Sequence, residues 1–111
     1  MEFEHFSKIN ADRARTWHQG GLNEWSIADW AVAMAGEAGE VCNMVKKYNR
    51  VRDSLQSNNP KPFDWQQLAD EIGDTFCYLD LLATRCGMTL EECVRTKFNK
   101  ISEREGLPQR V

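Results

Sequence analysis

Glu37 and Glu40 in GEAGEV, and Glu71 and Asp74 in DEIGDTF, form two acid pairs with the same three-residue spacing. On a helix that spacing puts both carboxylates on one face. Each pair sits inside a strongly apolar stretch, where a bare carboxylate is costly unless something neutralises it. Two such helices packed face to face would gather four carboxylates around one point. An all-oxygen set of that kind suits a hard divalent cation.

The spacing by itself carries little weight. With 17 acidic residues in 111, chance placement gives about two or three such pairs. The surroundings add more. Gly39 and Gly73 each lie within a pair, at a helix-interior cost of about 1 kcal/mol relative to Ala, as though a helix or a ligand approached the backbone there. Two readings stand on the residues alone: a metal site, or solvated acids beside a core stripe. Neither motif contains histidine, which argues against a di-iron site of the Glu-x-x-His kind.

The elements that must carry these acids are four predicted helices and no strand. Helix 1 spans about residues 2–19 and stops at Gly20-Gly21. Helix 2 opens at Ser26, with Asp29 completing a capping box, and runs to about Arg52. Ile27, Ala31, Met34, Ala38, Val41, Val45 and Tyr48 recur along it at spacings of three and four. A loop covers Asp53–Phe63. Helix 3 opens at Asp64, with Gln67 placed for a second box, and ends at Cys86-Gly87. Helix 4 opens at Thr89-Leu90-Glu91-Glu92 and stops at Gly106, before Pro108. Between Thr75 and Ala83 the only charge is Asp80. A helix apolar nearly all round is buried nearly all round, and three partner helices are too few to cover it, so a further subunit is expected.

The chain length fits one domain, residues 1–111. A net charge of −3 gives no support for nucleic-acid binding. No signal-peptide pattern and no membrane-length apolar run are present. Cys42, Cys77, Cys86 and Cys93 lack C-x-x-C spacing and read as reduced thiols of a cytoplasmic protein. Lys97, Lys100 and Arg104 share one face of helix 4, either to hold phosphates or as an ordinary basic patch near a helix C-terminus.

The phrases AMAGEAGEVCNMVKK and LADEIGDTFCYLDLLA resemble the two metal-binding helices of the MazG-like all-α nucleoside triphosphate pyrophosphohydrolases, and KFNKISER is similar to that family's phosphate-handling lysine segment. Together they span about residues 17–105. Where many members open the first motif with two adjacent acids, this chain has Gly36 before Glu37; the second motif keeps its doublet, Asp70-Glu71.

The resemblance implies a four-helix MazG-like bundle completed by oligomerisation, as a dimer or tetramer. It also implies cleavage of a nucleotide between its α and β phosphates, releasing a monophosphate and pyrophosphate. Glu37, Glu40, Glu71 and Asp74 would be the catalytic metal ligands, for Mg²⁺ or alternatively Mn²⁺. One of them, or Asp70, would accept the proton of the attacking water. Lys97, with Lys100, Arg104 and Asn99 behind it, would meet phosphate. Trp17 and His18 resemble the segment that related hydrolases place over the base, where stacking is worth about 1–3 kcal/mol; the alternative for Trp17 is a core anchor of helix 1. Trp25 and Trp30 are further pocket walls, and Trp65 reads as core. Tyr78 either stacks on substrate or packs in the core. Asp80 either pairs with an arginine across a subunit interface or accepts hydrogen bonds from substrate. The segments look closest to dATP/dGTP pyrophosphohydrolases, which implies purine deoxynucleotides and a role in clearing unwanted nucleotides. Phosphoribosyl-ATP hydrolysis and a non-catalytic oligomerisation module are the alternatives.

Overall fold

Ser26 starts the longest helix. In the computed structural model, which describes residues 2–56 and 61–111, its hydroxyl accepts from the Asp29 backbone N–H at 3.1 Å and the Asp29 carboxylate accepts from the Ser26 N–H at 2.9 Å. This reciprocal box satisfies two donors that a helix start leaves open. The elements are α1 (Phe3–Trp17), a 3₁₀ turn (Gly21–Glu24), α2 (Ile27–Arg52), α3 (Trp65–Arg85) and α4 (Leu90–Arg104). No strand occurs among the described residues.

The other boundaries also have local causes. Asp64 and Thr89 each accept from the backbone N–H three residues on, so α3 and α4 show the forward half of the expected boxes. Helix α1 ends two residues earlier than expected, and the chain continues into the 3₁₀ turn, with Gly21 at φ +72. Gly87 closes α3 at φ +75: its N–H donates to Thr84 O and the Met88 N–H to Ala83 O, the paired bonds of a Schellman stop. Gly106 repeats that pattern after α4. Ser54 does the same after α2 at φ +55, without glycine's freedom. Of the expected loop, residues 57–60 lie outside the described residues.

Helices α2 and α3 form a long antiparallel hairpin. Trp30 meets Tyr78 near one end, Glu37 meets Glu71 and Asp74 in the middle, and Tyr48 meets Trp65 at the other end. Helix α1 packs on α3, and α4 packs on α3 and α1 but, among the described residues, not on α2. The buried cluster is small: Ala14, Trp30 and Leu81, flanked by Leu22, Trp25, Tyr78 and Leu82. The Trp30 indole N–H donates to Leu22 O, and the Arg85 Nε–H to Trp25 O. These two bonds fasten the 3₁₀ turn to both arms of the hairpin.

The radius of gyration is 17.7 Å, against about 13 Å for a compact chain of this length. Among the described residues, no third helix packs against the distal hairpin. Ile72, Val45 and Leu79 stay exposed, so α3 is not covered all round by this chain alone.

Candidate metal centre

The hairpin register brings together side chains that lie far apart in sequence. Glu37 from α2 and Glu71 and Asp74 from α3 each offer a carboxylate oxygen, and these oxygens lie within 4.8 Å of one another. Glu37 and Glu71 are half-buried, and Asp74 is exposed. No lysine, arginine or histidine among the described residues forms an ion pair with any of them. Burial pushes the Glu37 carboxyl above its usual range, and the neighbouring charges of Asp74, Glu71 and Glu40 push it the same way. A cluster strained by its own charge and lacking a protein cation suits an external one. Three hard oxygen donors and no thiolate or imidazole fit Mg²⁺ or a similar ion.

Glu40 differs from the four-ligand expectation. It is exposed and lies outside the close trio, although its charge still reaches Glu37. Asp70 accepts from Gln66 Nε2 at 2.8 Å. A Cβ added at Gly39 or Gly73 would meet nothing within 4 Å, so the close approach expected there does not come from this chain.

The expected substrate residues separate into distinct settings. His18 packs against Trp25 and Trp30, with ring centroids 4.6 and 5.2 Å away, and its Nδ1 lies 2.9 Å from Glu24 Oε2. Trp30 also meets Tyr78 at 6.3 Å. Tyr78 is one turn beyond Asp74, so this aromatic group lies at the α2 N-terminal side of the carboxylates. Trp17 is apart from it, 63% exposed, with the Arg13 guanidinium 5.3 Å from its ring.

Lys97, Lys100 and Arg104 are exposed on α4, the helix that does not reach α2. Arg104 pairs with Glu105 at 2.8 Å. Asn99 holds Val111: its amide donates to Val111 O and its carbonyl accepts from Val111 N–H, both at 2.9 Å. Among the described residues, therefore, the Asn99 side chain is engaged by Val111.

Asp80 is a correction. It is fully buried, at 0% exposure, and both carboxylate oxygens have same-chain donors: Ser7 Oγ at 2.5 Å and Asn10 Nδ2 at 2.9 Å. Neither an interface arginine nor substrate is needed, because hydrogen bonds to the ionised form stabilise a buried carboxylate. Sequence reading missed Ser7 and Asn10. Their i,i+3 spacing on α1, beside the lone acid of α3, was the available signal.

The fold and site define an all-α chain that gathers three carboxylates without an ion-pair partner, among the described residues, across a helical hairpin. More narrowly, it belongs to the MazG nucleotide pyrophosphohydrolase domain family, whose sequence profile matches residues 27–107. The match contains both arms of the hairpin and α4. The chain is also similar to the Gene 37 protein of Mycobacterium phage L5, 30% identical over 74 residues, covering 67% of this chain and 61% of that protein. It therefore spans about three-fifths of that relative's length. No solved structure matches it.

Proposed function

We propose that this chain is a Mg²⁺-dependent nucleotide pyrophosphohydrolase that cleaves nucleoside triphosphates between the α and β phosphates. The observation that carries this reading is the convergence of Glu37, Glu71 and Asp74 with no protein cation among them. These three residues hold the ion, with Mn²⁺ as an alternative occupant. A divalent ion held there by Glu37, Glu71 and Asp74 would supply positive charge to offset that of the phosphates during attack. Glu40, outside the trio, takes the proton of the attacking water. Its position beside the ligands, without being one of them, supports that role.

The aromatic group of His18, Trp25, Trp30 and Tyr78 favours placing the base toward the α2 N-terminus. Trp17 is the less favoured of the two sequence-derived base contacts. Purine deoxynucleotides are the first substrates to examine, in a house-cleaning role that removes unwanted members of the nucleotide pool. The four cysteines are free, which supports work in the cytoplasm; among the described residues no helix is long and apolar enough to cross a membrane. We further propose that residues 1–111 act as one domain, since the Ser7–Asp80 and Asn10–Asp80 bonds join α1 to the matched region. A second copy covers the exposed hairpin, giving a dimer or tetramer. Lys97, Lys100 and Arg104 would then reach phosphate from the partner subunit, because α4 does not reach α2 of its own chain.

The test is pyrophosphate release from a panel of NTPs and dNTPs with Mg²⁺ and with EDTA, the nucleotide product being separated by chromatography. Metal-dependent monophosphate plus pyrophosphate is expected. Diphosphate plus phosphate would reject the α–β cleavage, and no turnover of any triphosphate would reject the reading.

A further inference from the structure

A cleft of about 800 Å³ opens at the loop end of the hairpin, lined in part by Met44, Lys47, Lys61, Asp64, Trp65 and Gln67. Four of these stand in a simple relation to the acid pairs. Met44 and Lys47 lie seven residues after Glu37 and Glu40, and Asp64 and Gln67 lie seven residues before Glu71 and Asp74. Seven residues are close to two helical turns, so the cleft continues the same faces of the hairpin, displaced by about 10 Å along the axis. In an antiparallel pair both shifts run the same way, toward the loop.

Charge changes sign along that line. Residues 37–40 and 70–74 hold five acids and no cation, whereas residues 46–64 hold Lys46, Lys47, Arg50, Arg52 and Lys61 against two acids, Asp53 and the cleft-lining Asp64. Arg52 pairs with Asp53. Among the described residues, Lys47 and Lys61 form no ion pair. A second cleft, between α1 and α4, makes the contrast clear: its lining cations Lys8, Arg15 and Arg95 are each paired with an acid of their own helix. Helical side chains also lean toward the helix N-terminus. For Lys47 that direction is toward the carboxylates, so its ammonium has reach into the space between cleft and metal centre.

We infer that Lys47 and Lys61 form an anion subsite at the hairpin end that receives the pyrophosphoryl part of the substrate. This rests on the proposed function and deepens it: with the base toward Trp25 and Tyr78 and the scissile bond at the carboxylates, the outer phosphates extend toward the loop. Two ammonium groups meet phosphate oxygens as charge-assisted donors. They also offset the repulsion that the acid cluster imposes on a polyphosphate.

The experiment is calorimetric titration of inorganic pyrophosphate, with Mg²⁺, into the wild-type protein, Lys47→Gln, Lys61→Gln and Lys47→Arg, with a deoxynucleoside monophosphate titrated in parallel. Both lysines are exposed, and unchanged melting temperatures confirm that the variants fold. Each Gln variant is expected to bind pyrophosphate about tenfold more weakly, the scale of a lost charged hydrogen bond, while Lys47→Arg keeps most of the affinity and monophosphate binding is unaltered. Unchanged pyrophosphate affinity in both Gln variants would overturn the subsite. So would weakened monophosphate binding in its place, which would make the cleft a base pocket. If the wild type hydrolyses triphosphates yet the lysine variants bind pyrophosphate normally, the subsite fails and the activity stands. If pyrophosphate binds through Lys47 but no triphosphate is turned over, the activity fails and the subsite stands.

Discussion

Glu37 of α2 and Asp74 of α3 face each other across the hairpin, in a trio with Glu71 whose oxygens lie within 4.8 Å of one another. Folding pushes these like charges together, and among the described residues no cationic side chain pairs with them. The acid cluster is thus a place where the fold is weakened unless an ion binds, which makes stability a direct reporter of the site.

The first consequence is a metal-dependent melting temperature. Mg²⁺ at a hundred times its dissociation constant should stabilise the wild type by about 2.7 kcal/mol through mass action. Glu71→Gln and Asp74→Asn should each remove most of that gain and most of the turnover. Thermal melts with and without Mg²⁺ read this; an equal shift in the variants would mean that the ion binds elsewhere.

Proton linkage gives a second test. Folded Glu37 holds its proton more tightly than at its ordinary value of 4.5, because of burial and then the charges of Asp74, Glu71 and Glu40. The folded state therefore binds more protons than the unfolded chain above that value. Its contribution to stability is fully present below 4.5 and is lost as pH rises through the raised folded value. Metal-free wild type, compared with Glu37→Gln, should lose stability over that window as pH rises. A difference between the two that does not vary with pH would remove Glu37 from the cluster. Protons should also compete with Mg²⁺ for the same carboxylate, so metal affinity falls as pH falls.

Asp80 is expected to matter for stability. Replacing it with Ala strands the part-buried Ser7 Oγ and one of the two Asn10 Nδ2 hydrogens, the amide keeping its bond to Cys77 O, at about 1–3 kcal/mol for each stranded group. Urea unfolding of Asp80→Ala should show a fall of several kcal/mol. A fall below about 1 kcal/mol would mean that water reaches the site and substitutes for the carboxylate.

Two helix ends offer opposite tests of one principle. Ser54 occupies the left-handed region at φ +55, where a side chain costs about 1–2 kcal/mol. Ser54→Gly should stabilise the protein by about 1 kcal/mol. Gly87 sits at φ +75, so Gly87→Ala should destabilise by a similar amount. Denaturant midpoints measure both, and the expected signs differ.

The exposed hairpin predicts self-association. Ile72 is 52% exposed on α3, between Glu71 and Gly73. Ile72→Glu would put a charge at the expected interface and should shift sedimentation equilibrium toward monomer. A wild type that is monomeric at all concentrations would require another cover for this face.

The sequence alone determined the helices, because their causes are local. Ser26 with Asp29, Asp64, Thr89, Gly87 and Gly106 act within a few residues of themselves, whereas the apolar stripe read along α2 does not mark the packed side: Ile27, Val45 and Tyr48 are exposed, and the buried residues of α2 are Trp30 and Met44. It also determined which acids are candidates, since i,i+3 spacing on a helix sets a common face. Only the tertiary structure decided which of them meet. Hairpin register brings Glu37 to Glu71 and Asp74 and leaves Glu40 at the margin, and register depends on packing between residues more than thirty positions apart. The same dependence placed Asp80 beneath Ser7 and Asn10 and set Lys97 on a helix that does not reach α2. Those outcomes follow from the angles at which helices cross, which arise from side-chain packing across an interface and leave no periodic trace along a single chain.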